Sequence, residues 1–209
     1  MGPLSRIEGE GRYAVPVAVY GNRSPETCVD EMVKILRKRG FKVPAAASFV
    51  AVHSLATKSR PWGFGRPDEH DWEIAKGFGE QVGKKLSSDP SEIQISGLVN
   101  NHFSKDKVEN LPEDYHWKVL GNVRGLIKVE FTKGSECTDC GRCAEVCPTG
   151  AVKLDSREVD DGLCIRCTAC IRACPGVLGV YIDDSPGSHE RLERIEKLFA
   201  VRKEPMIFI

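Results

Sequence analysis

The sequence predicts an α/β unit built on a parallel sheet, followed by a smaller α+β module, and three observations carry that prediction. Apolar runs and amphipathic stretches alternate in a strand, helix, strand, helix order over residues 12–86. An internal repeat with a shift of 27 positions fills residues 136–184. Eight of the nine cysteines fall inside that repeat, between Cys137 and Cys174, in C-x2-C groupings.

The first strand is read from Ala14 to Tyr20, a valine-rich run ending at Gly21-Asn22, with Pro16 at its start or on an exposed edge. Ser24-Pro25 then offers a capping hydroxyl and a proline at the first helical position. In the helix that follows, Val29, Met32, Val33 and Leu36 make an apolar stripe and Asp30, Lys34 and Lys38 a charged face, with Gly40 as the stop. Lys42 to Val52 is apolar without alternation, as expected of a strand covered on both faces. After a loop rich in Gly and Pro, Asp68 opens a second helix that carries Trp72, Ala75, Val82 and Leu86 on one side. Residues 1–86 thus read as a partial doubly wound domain and 87–130, mixed in composition, as a connector that includes an apolar piece from Leu126 to Phe131. The repeat module spans 131–184, and 185–209 form a charged helix and an apolar tail expected to dock.

Composition narrows the function classes. Thirty basic and thirty acidic residues leave no net charge, so no electrostatic basis for binding nucleic acid or an anionic membrane is expected. No apolar run approaches the roughly 20 residues of a membrane-spanning helix. The amino terminus carries acids where a secretory signal would carry its apolar core, and the expected location is cytoplasmic. In that setting clustered cysteines read as metal ligands rather than disulfides.

Each copy of the repeat is C-x2-C-x2-C-x3-C-P: Cys137, Cys140, Cys143, Cys147 and Pro148, then Cys164, Cys167, Cys170, Cys174 and Pro175. Three thiolates spaced by two residues sit on one tight loop and can take three corners of a [4Fe-4S] cubane. Zinc needs only two C-x2-C pairs per ion, which gives the third cysteine and the C-x3-C-P ending no reason to recur. No histidine lies between Trp117 and Ser188, which excludes a Rieske centre there. Arg142, Arg166 and Arg172 sit among the cysteines and read as a solvated face, although each could raise the potential of a nearby cluster. Cys28 reads as a small side chain packed in the first helical turn, with a reactive thiol at a helix start as the alternative. His53, just after the second strand, reads as a satisfied loop histidine, with a ligand-facing place at the strand's carboxyl end as the alternative.

This cysteine pattern resembles two-cluster bacterial-type ferredoxins, in which the fourth cysteine of each run ligates the other cluster. The resemblance implies one [4Fe-4S] cluster on Cys137, Cys140, Cys143 and Cys174 and a second on Cys164, Cys167, Cys170 and Cys147. Val17 to Asn22 followed by Arg23, with the loop from Gly65-Arg66-Pro67-Asp68 to Asp71, extends the likeness. The whole chain is similar to the family that fuses a flavodoxin-like domain to such a ferredoxin. That likeness implies flavin contacts at Tyr20, Gly21, Asn22 and Arg23, a stretch that equally reads as a turn leading into a capped helix. The Ser/Thr- and Gly-rich phosphate loop that opens flavodoxin-like domains is missing, and the chain starts where their fourth strand would stand. FMN binding by this polypeptide alone is therefore expected to be weak or absent.

The expected function is relay of single electrons through two [4Fe-4S] clusters, as a carrier or a component of a redox complex rather than a stand-alone enzyme. The alternatives are a subunit of an FMN-dependent oxidoreductase completed by another chain, and a structural or sensing iron-sulfur protein. Expected partners are a redox protein, a second copy, or a chain supplying the missing flavodoxin half.

Overall fold

A computed structural model describes residues 6–56, 58, 60–94, 127–174, 176–182 and 186–209. In chain order its elements are β1 (Val17–Tyr20), α1 (Cys28–Lys38), β2 (Ala46–Val50), α2 (Glu69–Ser88), β3 (Ile127–Phe131), α3 (Arg142–Glu145), β4 (Val152–Lys153), β5 (Glu158–Val159), α4 (Ala169–Ala173), β6 (Leu178–Ile182), α5 (Pro186–Ala200) and β7 (Met206–Phe208). They form two compact units, residues 1–111 with 198–209 and residues 112–197. Residues 95–126 of the expected connector, with Leu126 among them, and Pro175 lie outside the described residues.

The first unit holds a three-stranded sheet in the order β1-β2-β7. β1 and β2 are parallel, with Val17 opposite Ala47 and Tyr20 opposite Val50, as a strand-helix-strand unit requires. β7 runs antiparallel to β2, so the described sheet is mixed rather than purely parallel. The apolar tail docks as this third strand. Ala45, Ala46, Ala47 and Ser48 are fully buried, and their small side chains let a helix approach from either face. On one face Ala18, Val43 and Ala46 pack with Val29, Val33 and Leu36 of α1, and Phe208 closes that cluster. On the other, Ala45 and Ala47 pack against Phe78 of α2, flanked by Val15, Phe49 and Val82. Each fully buried valine contributes about 1.5–3 kcal/mol relative to exposure.

The local chemistry departs from the sequence reading at three places. The first helix starts at Cys28, not Pro25, because Glu26 adopts a left-handed backbone (φ +50°) that breaks helical continuity. Ser24 Oγ accepts from the Glu26 N–H at 3.0 Å instead of capping the helix. Asp30, expected on the charged face, is buried, and its carboxylate meets Lys34 at 2.7 Å while the longer lysine carries its charge into solvent. In α2 the covered side runs through Asp71, Ala75, Phe78 and Val82, whereas Trp72 and Leu86 are exposed. That helix opens with a capping box in which the Asp71 N–H donates to Asp68 Oδ1 (3.1 Å) and the Asp68 N–H to Asp71 Oδ2 (2.8 Å). Asp71 also forms a buried ion pair with Arg66.

The backbone of the first strand alternates cleanly. The Ala14 N–H donates to Lys42 O (2.9 Å), Pro16 O accepts from Ala47 N–H (3.1 Å) and Tyr20 O accepts from Ala51 N–H (2.9 Å). Even-numbered residues therefore face β2, and Val15, Val17 and Val19 turn their backbone groups outward. Pro16, just before β1, lacks its N–H on the β2 side and leaves the outer edge unguarded. Among the described residues nothing pairs with that edge, and the side chains of Val17 and Val19 are exposed.

The second unit is two small antiparallel sheets, β3 with β6 and β4 with β5. β3 precedes the first cysteine run and β4 follows it, while β5 and β6 flank the second run in the same way. Each sheet thus joins the leading strand of one copy to the trailing strand of the other, which is the pairing of a pseudo-two-fold. It also draws Ile127–Glu130, read from sequence as connector, into the module. Val129, Ala151, Val152 and Leu178 form its core together with Cys143, Cys164 and Cys170.

Candidate metal centre

The two cysteine loops repeat at the level of the backbone. Asp139 (φ +52°) and Gly141 (φ +76°) are left-handed in the first, and Arg166 and Thr168 (both φ +59°) occupy the same offsets in the second. Each left-handed pair ends at the start of a short helix, Gly141 before α3 and Thr168 before α4. The third cysteine of each run, Cys143 or Cys170, is thereby held in the first turn and buried against the core. Cys164 is also buried, Cys137, Cys147, Cys167 and Cys174 are half-buried, and Cys140 is exposed.

The cysteines group across the copies. Burial pushes the Cys143 thiol up, and the neighbours that add to the rise include Cys174 of the second copy and Cys137. Cys170 is raised in the same way, by burial and by Cys164, Cys147 and Cys167, so Cys147 of the first copy sits with the second trio. Cys147, Cys164, Cys167 and Cys170 also line one cavity, walled by Val129, Val152 and Val159. Cys147 is prepared as an anion: burial raises its pKa, yet the N–H groups of Thr149, Val152 and Ala151 and the Thr149 hydroxyl hold it at about 7. The Ala151 N–H lies 3.2 Å from its sulfur. Cys140 is lowered by the Arg142 N–H and the Thr138 side chain.

The donor set is all thiol, and it suits a cubane. Among the described residues no three of Cys, His, Asp or Glu converge tightly enough for a single metal ion.

Of the arginines read as a solvated face, Arg142 and Arg172 are exposed, but Arg166 is not. Its side chain is only 9% exposed, and its guanidinium donates to Ile127 O (2.7 Å), Cys164 O (3.0 Å) and Asp161 Oδ1 (2.6 Å). The sequence hides this because the β3 carbonyl that draws Arg166 inward is 39 positions away.

Residues 20–23 lie at the carboxyl end of β1. Tyr20 is half-buried, and its hydroxyl is raised by burial, beside Arg66, Glu204 and Asp71. Gly21 backs onto His53, whose Cδ2 stands 2.3 Å from where a Cβ would be, so only glycine fits. Asn22 is buried; its Nδ2 donates to Phe199 O (2.8 Å) and Val201 O (3.3 Å), and its Oδ1 accepts from Lys203 N–H (3.2 Å). Arg23 pairs with Glu26. His53 packs edge-on to Trp62 and Phe199, accepts from Leu55 N–H through Nδ1, and is lowered by burial and by Arg23. Cys28 is exposed rather than packed, and its thiol is raised by desolvation and by Glu31, the opposite of an activated cysteine.

Comparison with known proteins bears on the second unit. Residues 113–185 match the family described as a 4Fe-4S dicluster domain. The dicluster segment is therefore a ferredoxin-like 4Fe-4S domain. Over 100 residues the chain is 30% identical to the uncharacterized ferredoxin-like protein YdhY of Escherichia coli (strain K12), covering 44% of this chain and 47% of that one. It is 38% identical over 48 residues to a ferredoxin-like protein in the nif region of Trichormus variabilis, covering 22% and 41%. The nitrogen fixation protein FixG of Rhizobium meliloti is 42% identical over 43 residues, which is 21% of this chain and 8% of FixG. The chain thus spans less than half the length of these curated relatives. No solved structure matches. Among the described residues no helix is long and apolar enough to cross a membrane.

Proposed function

We propose that this chain relays single electrons through two [4Fe-4S] clusters, one on Cys137, Cys140, Cys143 and Cys174 and the other on Cys164, Cys167, Cys170 and Cys147. The observation that carries the reading is the nearness of each fourth cysteine to the other copy's trio: Cys147 lines one cavity with Cys164, Cys167 and Cys170, and Cys174 is a charge neighbour of Cys143. A [4Fe-4S] cluster supplies one-electron transfer with little rearrangement. The chain's own part is to present thiolates and to keep water from the sulfurs. The left-handed turns aim the trios, the amides around Cys147 stabilise its anion, and Val129, Val152 and Val159 dry one wall. Protein purified without oxygen should hold about eight irons and eight sulfides per chain, and its visible absorption should bleach with dithionite. Zinc in place of iron, or clusters that resist reduction, would overturn the relay.

A second reading has its own support. We infer that the first unit is part of a flavodoxin-like domain in an FMN-dependent oxidoreductase, completed by another chain. The parallel β1–β2 pair with helices on both faces favours it, as do the outward backbone groups of Val15, Val17 and Val19. Asn22, however, spends its amide on the tail, which leaves Tyr20, Gly21 and Arg23 to meet a flavin ring. Equilibrium dialysis should show little FMN on this chain alone, and one tightly held FMN per chain would mean the ring site needs no second polypeptide.

A further inference from the structure

The two cysteine loops share one backbone but differ in charge at one position. Asp139 lies between the first two cysteines of the first run, and Arg166 lies at the same offset of the second, both left-handed. The Asp139 carboxylate stands 3.5 Å from Cys137 Sγ. It is paired with Arg157 at 3.1 Å and 3.2 Å, and both side chains are roughly half exposed or more, so water and the counter-charge weaken its effect without cancelling it. Arg166 is different. Its guanidinium cannot lose its proton and is buried beside Cys164, against whose carbonyl it donates, while its partner Asp161 stands 48% exposed. A charge in that setting acts over a low-dielectric path, whereas the Asp161 carboxylate is screened by water.

We propose that Arg166 makes the site of Cys147, Cys164, Cys167 and Cys170 the one that takes the first electron, with Asp139 leaving the other site the weaker acceptor. The inference rests on the two-cluster reading above and adds an order of filling to it. Arg166 is a tuning residue: its positive charge favours the state that carries one more electron, and the carboxylate beside Cys137 disfavours it. The step balances simply. A low-potential donor such as dithionite is oxidised by one electron as this site is reduced by one, and no bond or proton changes hands.

The test is a redox titration of the cluster-loaded chain under anaerobic conditions, followed by electron paramagnetic resonance. Two one-electron waves are expected, with at least a tenfold preference for the first site to fill, which is 59 mV for a one-electron couple. Arg166→Gln should lower the higher wave and leave the lower one in place, and Asp139→Asn should raise the lower wave alone. Because Arg166 also ties β3 to the loop, its loss could impair loading, so Asp161→Asn serves as a second variant. Removing that exposed counterion should raise the higher wave. Two waves that merge in the unaltered protein, or an Arg166→Gln or Asp161→Asn change felt by the lower wave, would overturn the proposal while leaving the two-cluster reading intact. A chain that loads no iron overturns both, and iron content is measured first for that reason.

Discussion

Asn22 is the point at which the tail is fastened, and its replacement has a calculable cost. Asn22→Ala removes two donated bonds and one accepted bond and leaves the carbonyls of Phe199 and Val201 and the N–H of Lys203 without that partner. Each buried group left unsatisfied costs about 1–3 kcal/mol, and partial rehydration of the tail keeps the sum near the lower figures, about 3 kcal/mol in all. Alanine must also hold the left-handed backbone that Asn22 adopts at φ +59°, which adds about 1 kcal/mol. Asn22→Gly loses the same bonds without that backbone strain and should be the milder change. The two units need not unfold together, so urea unfolding is read from tryptophan fluorescence, since Trp62 stacks on Phe199 at 4.4 Å, and hydrogen exchange at Met206–Phe208 gives the local answer. The expected result is early release of β7 from β2 in both variants. Variants within about 0.5 kcal/mol of the parent, with β7 still protected, would refute the fastening argument.

Two further outcomes follow from the first unit. Arg66 holds the Asp71 carboxyl below its ordinary range, so the stability this pair contributes is present above the unfolded carboxyl's pKa and is lost as pH falls through the depressed folded value. Acid unfolding of the unit should be shifted by Asp71→Asn, which also costs about 3 kcal/mol at neutral pH by leaving buried Arg66 with only the more distant Asp68 carboxylate at 3.8 Å; an unchanged acid profile would count against it. On β1, hydrogen exchange should alternate in the chain on its own, with the amides of Ala18 and Tyr20 protected and those of Val17 and Val19 fast. Uniform protection would mean that the outer edge is already paired.

What the sequence discloses divides along physical lines. The cysteine spacing is legible because a cluster dictates it locally, and the repeat extends to the left-handed positions at Asp139 and Arg166. The strand and helix order of residues 12–86 is legible because apolar periodicity reports burial directly, as at Val29, Val33 and Leu36. The covered face of α2 is only half legible: Ala75 and Val82 lie on it, but the strongly apolar Trp72 and Leu86 are exposed and Phe78, which packs edge-on to Phe49 at 6.0 Å, takes the centre. The partner of the tail is illegible, since β7 meets β2 antiparallel across some 160 positions and nothing local encodes that pairing. Asn22 gives a turn signal that any loop could share, and its second role exists only once Phe199, Val201 and Lys203 have arrived.

The exchange of fourth cysteines is the claim on which the relay depends, and iron counting in paired variants tests it without assigning any spectrum. Cys174→Ala and Cys137→Ala should each leave about four irons per chain, and because both residues serve one cluster the double variant should still retain about four. Cys174→Ala combined with Cys164→Ala strikes both clusters and should leave almost none. The reverse pattern, with iron lost when Cys174 and Cys137 are changed together and retained when Cys174 and Cys164 are, would place Cys174 on its own copy's cluster and contradict the account.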